Sequence, residues 1–169
     1  MAYTTINKST DYFRTKLYTG NGAVRSITFD ESVNMQPDLT WIKGRSTTAS
    51  WLCNDSVRGA TKRLKLDANS GESTQTGMIT SFNTNGFSLG TTATSNNNGS
   101  TYASWNWKKI AGAFDIQTYA GNSNGSRTVA HNLGVIPSLI IVKNLTNSAD
   151  WYTGSTTPGI SFNWATDYI

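Results

Sequence analysis

The sequence predicts an all-β protein, an antiparallel β-sandwich or jelly roll, followed by a partial second copy of the same β unit. Three observations lead to this prediction. Threonine and aromatic residues, which favour strands, are abundant, and aromatics make up 11% of the 169 residues. Asn and Gly separate short apolar runs as turn residues do, and no window shows a sustained helical period. The pattern of one segment also returns 100 positions later.

The internal repeat is clearest in two heptapeptides. Residues 37–43 read Pro-Asp-Leu-Thr-Trp-Ile-Lys, and residues 137–143 read Pro-Ser-Leu-Ile-Ile-Val-Lys. Trp51 and Trp151 stand at equivalent positions after them. Differences in length between the copies fall in loops rich in Gly, Asn and Ser, where insertions cost least. The chain is therefore interpreted as a duplicated β unit.

This duplication gives the predicted domain boundaries. Residues 1–12 are a polar N-terminal arm, residues 13–109 the first β-sandwich domain, and residues 110–169 the second, truncated β domain. We expect residues 114–152 to superpose on residues 13–51.

Individual strands follow from local pattern and from turn residues. Residues 13–18 form an extended run that stops at the Gly20-Asn21-Gly22 turn, and residues 24–29 form a second strand. Residues 39–43 alternate, with Leu39, Trp41 and Lys43 on one face.

Later elements of the first copy show stronger signals. The pair Asn85-Gly86 between apolar runs predicts a hairpin whose two turn residues have positive φ. Residues 102–108 alternate cleanly, so Ala103, Trp105 and Trp107 are predicted to form the buried face of a strand. Residues 56–66 are the one segment where a short helix is expected.

The second copy lacks part of the first. Its predicted strands at residues 114–119 and 139–142 have no counterpart of the 82–89 hairpin or the 102–108 strand beside them. Because an exposed apolar sheet edge promotes aggregation, native proteins cover it. We expect neighbouring subunits to do so in a homo-oligomer, with a trimer favoured; continuation past Ile169 is the alternative.

Composition also bears on cellular location. The formal net charge is +4 and the chain has one cysteine, Cys53, which cannot form an internal disulfide. No apolar run approaches the ~20 residues that span a bilayer, so no membrane insertion is expected. The N-terminus has neither a basic segment nor an apolar one, so no signal peptide is expected. Synthesis in a reducing cytosol fits this pattern.

Catalytic chemistry is not indicated by the motifs. His131 is the only histidine, and Cys53 has no activating base that the sequence identifies. The ten acidic residues form no recognised catalytic motif, and neither zinc-ligand nor EF-hand spacing occurs. We therefore expect no enzyme, no metal and no cofactor; a glycan-cleaving enzyme is the weakest of three alternatives.

Candidate contact residues come from the basic segment and from the tryptophans. Residues 58–65 are basic but contain no aromatic residue for base stacking, so no nucleic acid partner is expected. A solvated loop or a contact to an acidic partner explains the segment better. Trp is enriched at interfaces and can also stack on sugar rings. The candidates for a protein interface or a glycan contact are Trp51, Trp151, Trp164, Arg58, Lys62 and Arg63.

Several motifs occur together in order, at residues 36–43, 55–62, 86–90 and 102–108, and residues 128–144 continue the pattern in the second copy. In these motifs the chain resembles the repeat-containing virion structural proteins of tailed bacteriophages, many of them marine and often described as tail fibres. The resemblance covers the first copy nearly end to end. It implies a lectin-like β-sandwich on the phage particle and brings no catalytic residues.

Two functional hypotheses follow from this resemblance and from the residues. The first is a non-enzymatic virion structural protein, a tail fibre or similar appendage or capsid decoration, assembled in the host cytoplasm and contacting other virion proteins. The alternative is a carbohydrate-binding adhesin that touches a host surface glycan. The two roles can coexist in one fibre.

Overall fold

The computed structural model describes residues 6–123 and 127–155. It is nearly all β, with 37% strand and 5% helix, which confirms the predicted fold class. A 3-10 helix, Ser9–Asp11, and a short helix α1, Ala93–Asn96, accompany the strands. The strands are β1 Phe13–Thr19, β2 Arg25–Thr28, β3 Leu39–Gly44, β4 Leu52–Asp55, β5 Lys62–Leu64, β6 Ser73–Thr74, β7 Ile79–Asn83, β8 Gly86–Leu89, β9 Thr101–Trp107, β10 Leu139–Lys143 and β11 Trp151–Ser155.

The first copy folds as two sheets that enclose one core. A six-stranded sheet has the order β1-β9-β3-β4-β5-β6, a three-stranded sheet has the order β2-β8-β7, and every pairing is antiparallel. Apolar side chains from both sheets meet between them, in the arrangement of a β-sandwich. The buried members are Tyr18, Ile27, Phe29, Met35, Ile42, Leu52, Met78, Ile79, Phe87, Leu89 and Tyr102.

The predicted hairpin between β7 and β8 is present, but its turn lies one residue earlier. Asn83 pairs with Gly86, so Thr84 and Asn85 form the two-residue turn, and among described non-glycine residues only Ser123 has a positive φ. Gly86 has φ +116°, and a Cβ there would collide with the carbonyl oxygen of Ile27 in β2. Glycine is therefore needed for the close approach of two strands as well as for its backbone angle.

The face assignment of β9 was wrong. Tyr102, Ser104 and Asn106 point into the sandwich and are fully buried, whereas Trp105 and Trp107 are half-buried on the outer face of the six-stranded sheet. Ala103 is buried, as predicted. Strand alternation predicts two faces without saying which one faces inward.

Hydrogen bonds make the polar inward face stable. The Asn106 side chain accepts a hydrogen bond from Thr40 Oγ1 at 2.9 Å. Its amide nitrogen donates to the backbone oxygen of Arg14 at 3.1 Å and to Ser104 Oγ at 3.0 Å. A buried amide with its partners in place costs little, while an unpaired one would cost about 1–3 kcal/mol. A prediction that places polar side chains toward solvent therefore assigns the wrong face of β9 to the outside.

The repeat reappears as a pair of equivalent hairpins. Leu39 pairs with Asp55 in β3–β4, and Leu139 pairs with Ser155 in β10–β11, so both members of the pair shift by 100. Lys43 Nζ donates to the carbonyl of Ala49 at 2.5 Å, and Lys143 Nζ donates to that of Ala149 at 2.7 Å. The predicted equivalence is thus confirmed for these hairpins.

The predicted strand at residues 114–119 does not form. This segment has only an isolated bridge between Ile110 and Phe114. In the first copy the equivalent strand β1 pairs along its whole length with β9. No counterpart of β9 occurs in the described part of the second copy, so residues 114–119 have no partner strand there and remain irregular.

The expected helix at residues 56–66 is also absent. A turn at residues 56–58 leads to β5, and the described helix instead occupies Ala93–Asn96 in the polar loop before β9. Asp55 caps the turn, because its Oδ1 accepts hydrogen bonds from the backbone nitrogens of Val57 and Arg58. Such side-chain capping competes with helix formation.

The burial difference across β9 predicts unequal mutational effects. Tyr102→Ala removes a fully buried ring whose hydroxyl donates to the Ala93 carbonyl at 2.8 Å. We expect it to lower the free energy of unfolding by about 3–5 kcal/mol. Trp105→Ala, on the half-buried outer face, should cost less. Urea denaturation of both variants measures the difference, and a larger loss for Trp105→Ala would contradict this assignment.

Candidate functional site: a tryptophan cleft between the two hairpins

The second hairpin packs against the first copy through backbone and side-chain contacts. The Glu72 backbone nitrogen donates to the Leu145 carbonyl at 2.7 Å, and that of Ala149 donates to the Asn69 carbonyl at 2.9 Å. The Trp151 indole Nε1 donates to the Lys65 carbonyl at 3.1 Å. A small apolar cluster lies beneath these contacts, made of Cys53, Leu64, Trp151, Leu39, Trp41, Leu66 and Leu145.

A cleft of about 260 Å³ opens beside this contact, and we refer to it as the tryptophan cleft. It is lined by Trp41, Trp51, Leu66, Asp67, Ile141 and Trp151. Trp41 and Ile141 are repeat equivalents, and so are Trp51 and Trp151. Each hairpin therefore supplies the same two positions, and the segment after β5 supplies the other two residues.

Packing fixes the orientation of the three indoles. The Trp51 ring lies 5.3 Å from that of Trp105, with 30° between their planes. The Trp41 ring contacts that of Trp107 edge-on at 4.8 Å. Trp151 is 9% exposed and is held by its hydrogen bond to the backbone of residue 65. The cleft is thus preformed, which lowers the entropic cost of binding.

Two opposite charges flank Trp51. Asp67 Oδ2 accepts a hydrogen bond from the Trp51 backbone nitrogen at 3.2 Å, and the Asp67 residue is exposed. Lys43 Nζ lies 5.8 Å from the centre of the Trp51 ring, within cation–π distance. The cleft therefore combines aromatic surface with one carboxylate acceptor and has a cation already next to one indole.

Two of the three tryptophans predicted as contact residues line this cleft. Trp51 and Trp151 come together in the cleft, although their repeat equivalence alone does not predict that they are close in space. Trp164 lies outside the described residues.

The predicted basic contact residues do not line this cleft, although the charge of Arg63 interacts with that of Asp67. Arg58 has a side chain only 6% exposed, and its Nε lies 2.5 Å from Asp55 Oδ2 while Nη1 lies 3.2 Å from Glu72 Oε2. Lys62 is 3.4 Å from the same Glu72 and donates to Thr74 Oγ1. Arg63 donates to Ser73 Oγ, and burial lowers its pKa. These side chains connect β5 and β6 to the loop after β4.

Sequence reasoning missed Trp41, Leu66, Asp67 and Ile141 as cleft residues. The signal for Trp41 was available, because it shares a strand face with Leu39 and Lys43 and is the repeat equivalent of Ile141. Asp67 belongs to no motif. Its position depends on how the chain turns after β5, which no local pattern predicts.

The structure shows the surroundings of Cys53 and His131, the two residues considered for catalysis. Cys53 is buried in β4, and burial raises the pKa of its thiol to about 12. His131 is exposed, and its Nδ1 accepts a hydrogen bond from the Leu133 backbone nitrogen. Among the described residues no group of three or more His, Cys, Asp or Glu side chains is arranged to hold a metal ion. Within the same residues no helix has the length and apolarity to cross a bilayer.

A comparison with protein-family models gives one match, which covers residues 8–161. The chain belongs to the family described as a domain of unknown function, DUF7483. The matched segment includes both hairpins and the tryptophan cleft. None of the curated proteins and none of the solved structures compared with the chain matches it.

The buried thiol predicts a dependence of stability on alkaline pH. Because the folded state raises the pKa of Cys53 from 9.0 to about 12, it favours the neutral thiol. This contribution to stability is fully present below pH 9 and declines as the pH rises toward 12. The Cys53→Ala variant should therefore lose less stability than wild type between about pH 8 and about pH 10.5 in urea denaturation. An equal loss in both proteins would contradict the burial of a neutral thiol.

Proposed function

We propose that this protein is a non-enzymatic structural protein of a tailed-phage particle, a tail fibre or similar appendage or decoration protein, that assembles as a homo-oligomer on the virion. The motifs of the first copy, which occur together in order along the sequence, support the phage particle as the location of this protein. The observation that carries the assembly role is the incomplete sheet of the second copy. Other virion proteins are its proposed partners.

A difference between the two hairpins supports a surface of the second copy as the proposed site of assembly. In the first copy β3 lies between β4 and β9, whereas β10 pairs with β11 alone in the described part of the chain. Apolar side chains on and before β10 are exposed, with Leu139 at 60% and Ile136 at 80%. We refer to β10 with these flanking side chains as the β10 edge.

Within the strand Leu139–Lys143 the β10 edge has little of the usual protection against pairing, because its proline, Pro137, lies before the strand. Edge strands are commonly blocked by lysine, proline or a bulge. Lys143 is the charged residue of β10, but its Nζ is directed to the carbonyls of Asn69, Asn144 and Ala149. The cation therefore fixes the hairpin on the first copy. A neighbouring subunit that covers this edge would bury each apolar side chain with a gain of about 1.5–3 kcal/mol, and a closed trimer is the assembly favoured here.

Substitution at the β10 edge tests this proposal. Leu139→Lys places a charge on an exposed position of β10, so it should dissociate the oligomer without unfolding the chain. Leu17→Lys is the matched control, because Leu17 is 61% exposed on the edge strand β1 of the first copy. Sedimentation velocity at micromolar concentration should show monomers for Leu139→Lys and oligomers for wild type and Leu17→Lys. Circular dichroism verifies that all three are folded.

A wild-type chain that sediments as a soluble, well-folded monomer would contradict the assembly role. Equal dissociation by both lysine substitutions would instead show that the β10 edge is not the specific contact.

The second candidate function is carbohydrate binding by an adhesin, and the tryptophan cleft is the observation that favours it. Trp51 and Trp151 present aromatic surface beside the Asp67 carboxylate. A cleft with mainly aromatic lining and few polar groups is typical of small-ligand sites. Its proposed partner is a host surface glycan. The two roles share β10 but use different side chains in part: Leu139 and Ile136 do not line the cleft, whereas Ile141 does.

A further inference from the structure

We propose that the tryptophan cleft binds a single uncharged pyranose ring, with the C–H face of the sugar against the indoles and a sugar hydroxyl donating to Asp67 Oδ1. The choice of a sugar rests on the carbohydrate-binding candidate above and names the class of ring and the residues that select it. It does not depend on the assembly of the chain.

The size of the cleft limits the ligand to about one ring. Its volume of about 260 Å³ lies just below the ~300–1,000 Å³ of pockets that enclose drug-sized molecules. A longer glycan would therefore place one residue inside and extend the others into solvent.

The charges around the cleft select a neutral polar ligand. An aromatic cage with a carboxylate can also bind a quaternary ammonium ion. Here, however, Lys43 Nζ already lies 5.8 Å from the Trp51 ring, so a second cation at that indole would meet like-charge repulsion. A purely apolar ligand that covered Asp67 Oδ1 would leave this oxygen without water or a donor, which is costly. A sugar offers an apolar C–H face and hydroxyl donors in one molecule.

The geometry of Asp67 assigns each of its oxygens a role. Oδ2 accepts the Trp51 backbone N–H at 3.2 Å, which orients the carboxylate beside the indole. Oδ1 is then the acceptor available to a ligand. A hydroxyl bound there would sit next to the Trp51 side chain, so stacking and hydrogen bonding act on the same sugar.

The indoles keep their positions without a ligand. Hydrogen bonding fixes Trp151, and ring contacts with Trp105 and Trp107 fix Trp51 and Trp41 respectively. Binding therefore requires little rearrangement of the cleft.

Titration of the full chain with methyl glycosides of glucose, galactose, mannose and N-acetylglucosamine tests this proposal, with tryptophan fluorescence and saturation-transfer NMR as readouts. At least one of these neutral glycosides should bind. Trp51→Ala and Asp67→Asn should each weaken that binding about tenfold or more, because each removes one of the two contacts. Asp67→Asn retains an oxygen that can accept the Trp51 N–H, so the fold should persist.

Asp30→Asn is the matched control. It also removes one carboxylate, but Asp30 is 81% exposed in an ion pair with Lys16 and lies outside the cleft. The affinity of the Asp30→Asn variant for the glycoside should equal that of the wild-type protein. Tetramethylammonium serves as the competing cationic probe and should not displace the sugar.

The set of possible outcomes distinguishes a failure of this inference from a failure of the functions proposed above. If no glycan binds, either among these glycosides or on a glycan array, both the carbohydrate-binding candidate and this inference fail. If a glycan binds but Trp51→Ala and Asp67→Asn bind it as wild type does, or if tetramethylammonium displaces it, this inference alone fails. Sedimentation of the same samples tests assembly independently of sugar binding.

Discussion

The inward face of β9 is the constraint on which the rest of the structure depends. This strand lies between β1 and β3, so its alternation decides what both sides of the six-stranded sheet present. Tyr102 enters the sandwich and stacks on Tyr18 with 5.1 Å between ring centres. Asn106 lies on the same face and satisfies its polar atoms by hydrogen bonds to neighbouring strands. The tryptophans of β9 are consequently placed on the outside.

That outward placement creates the surface on which the second copy packs. Trp105 and Trp107 support Trp51 and Trp41 by ring contacts, and the second hairpin adds Trp151 and Ile141 opposite them. Had β9 been turned the other way, these indoles would form part of the sandwich core. The cleft would then not exist, so the same alternation that builds the core also builds the candidate site.

The two hairpins have the same register and the same lysine–carbonyl hydrogen bond, yet their surroundings differ. β3 is in the interior of a six-stranded sheet, while β10 has one strand neighbour among the described residues. A hairpin that packs through one face leaves its other surface available to a partner. The duplication therefore produced a structural element in the first copy and, in our proposal, a binding and assembly element in the second.

Local sequence determined the elements of this protein, and the tertiary structure decided how they are used. Turn residues and alternation, which act over a few positions, predict the all-β class and the β7–β8 hairpin. The repeated pattern predicts the equivalence of β3–β4 with β10–β11.

The orientation of β9 could not be predicted in this way, because both faces of the strand carry large aromatic residues, Tyr102 on one and Trp105 and Trp107 on the other. The favourable choice depends on hydrogen-bond partners such as Thr40 and Arg14, which come from other strands. The cleft likewise needs Asp67 brought beside Trp51 and Trp151 by long-range packing. Such contacts join residues far apart in the chain, and the energy that decides them is absent from any single stretch of sequence.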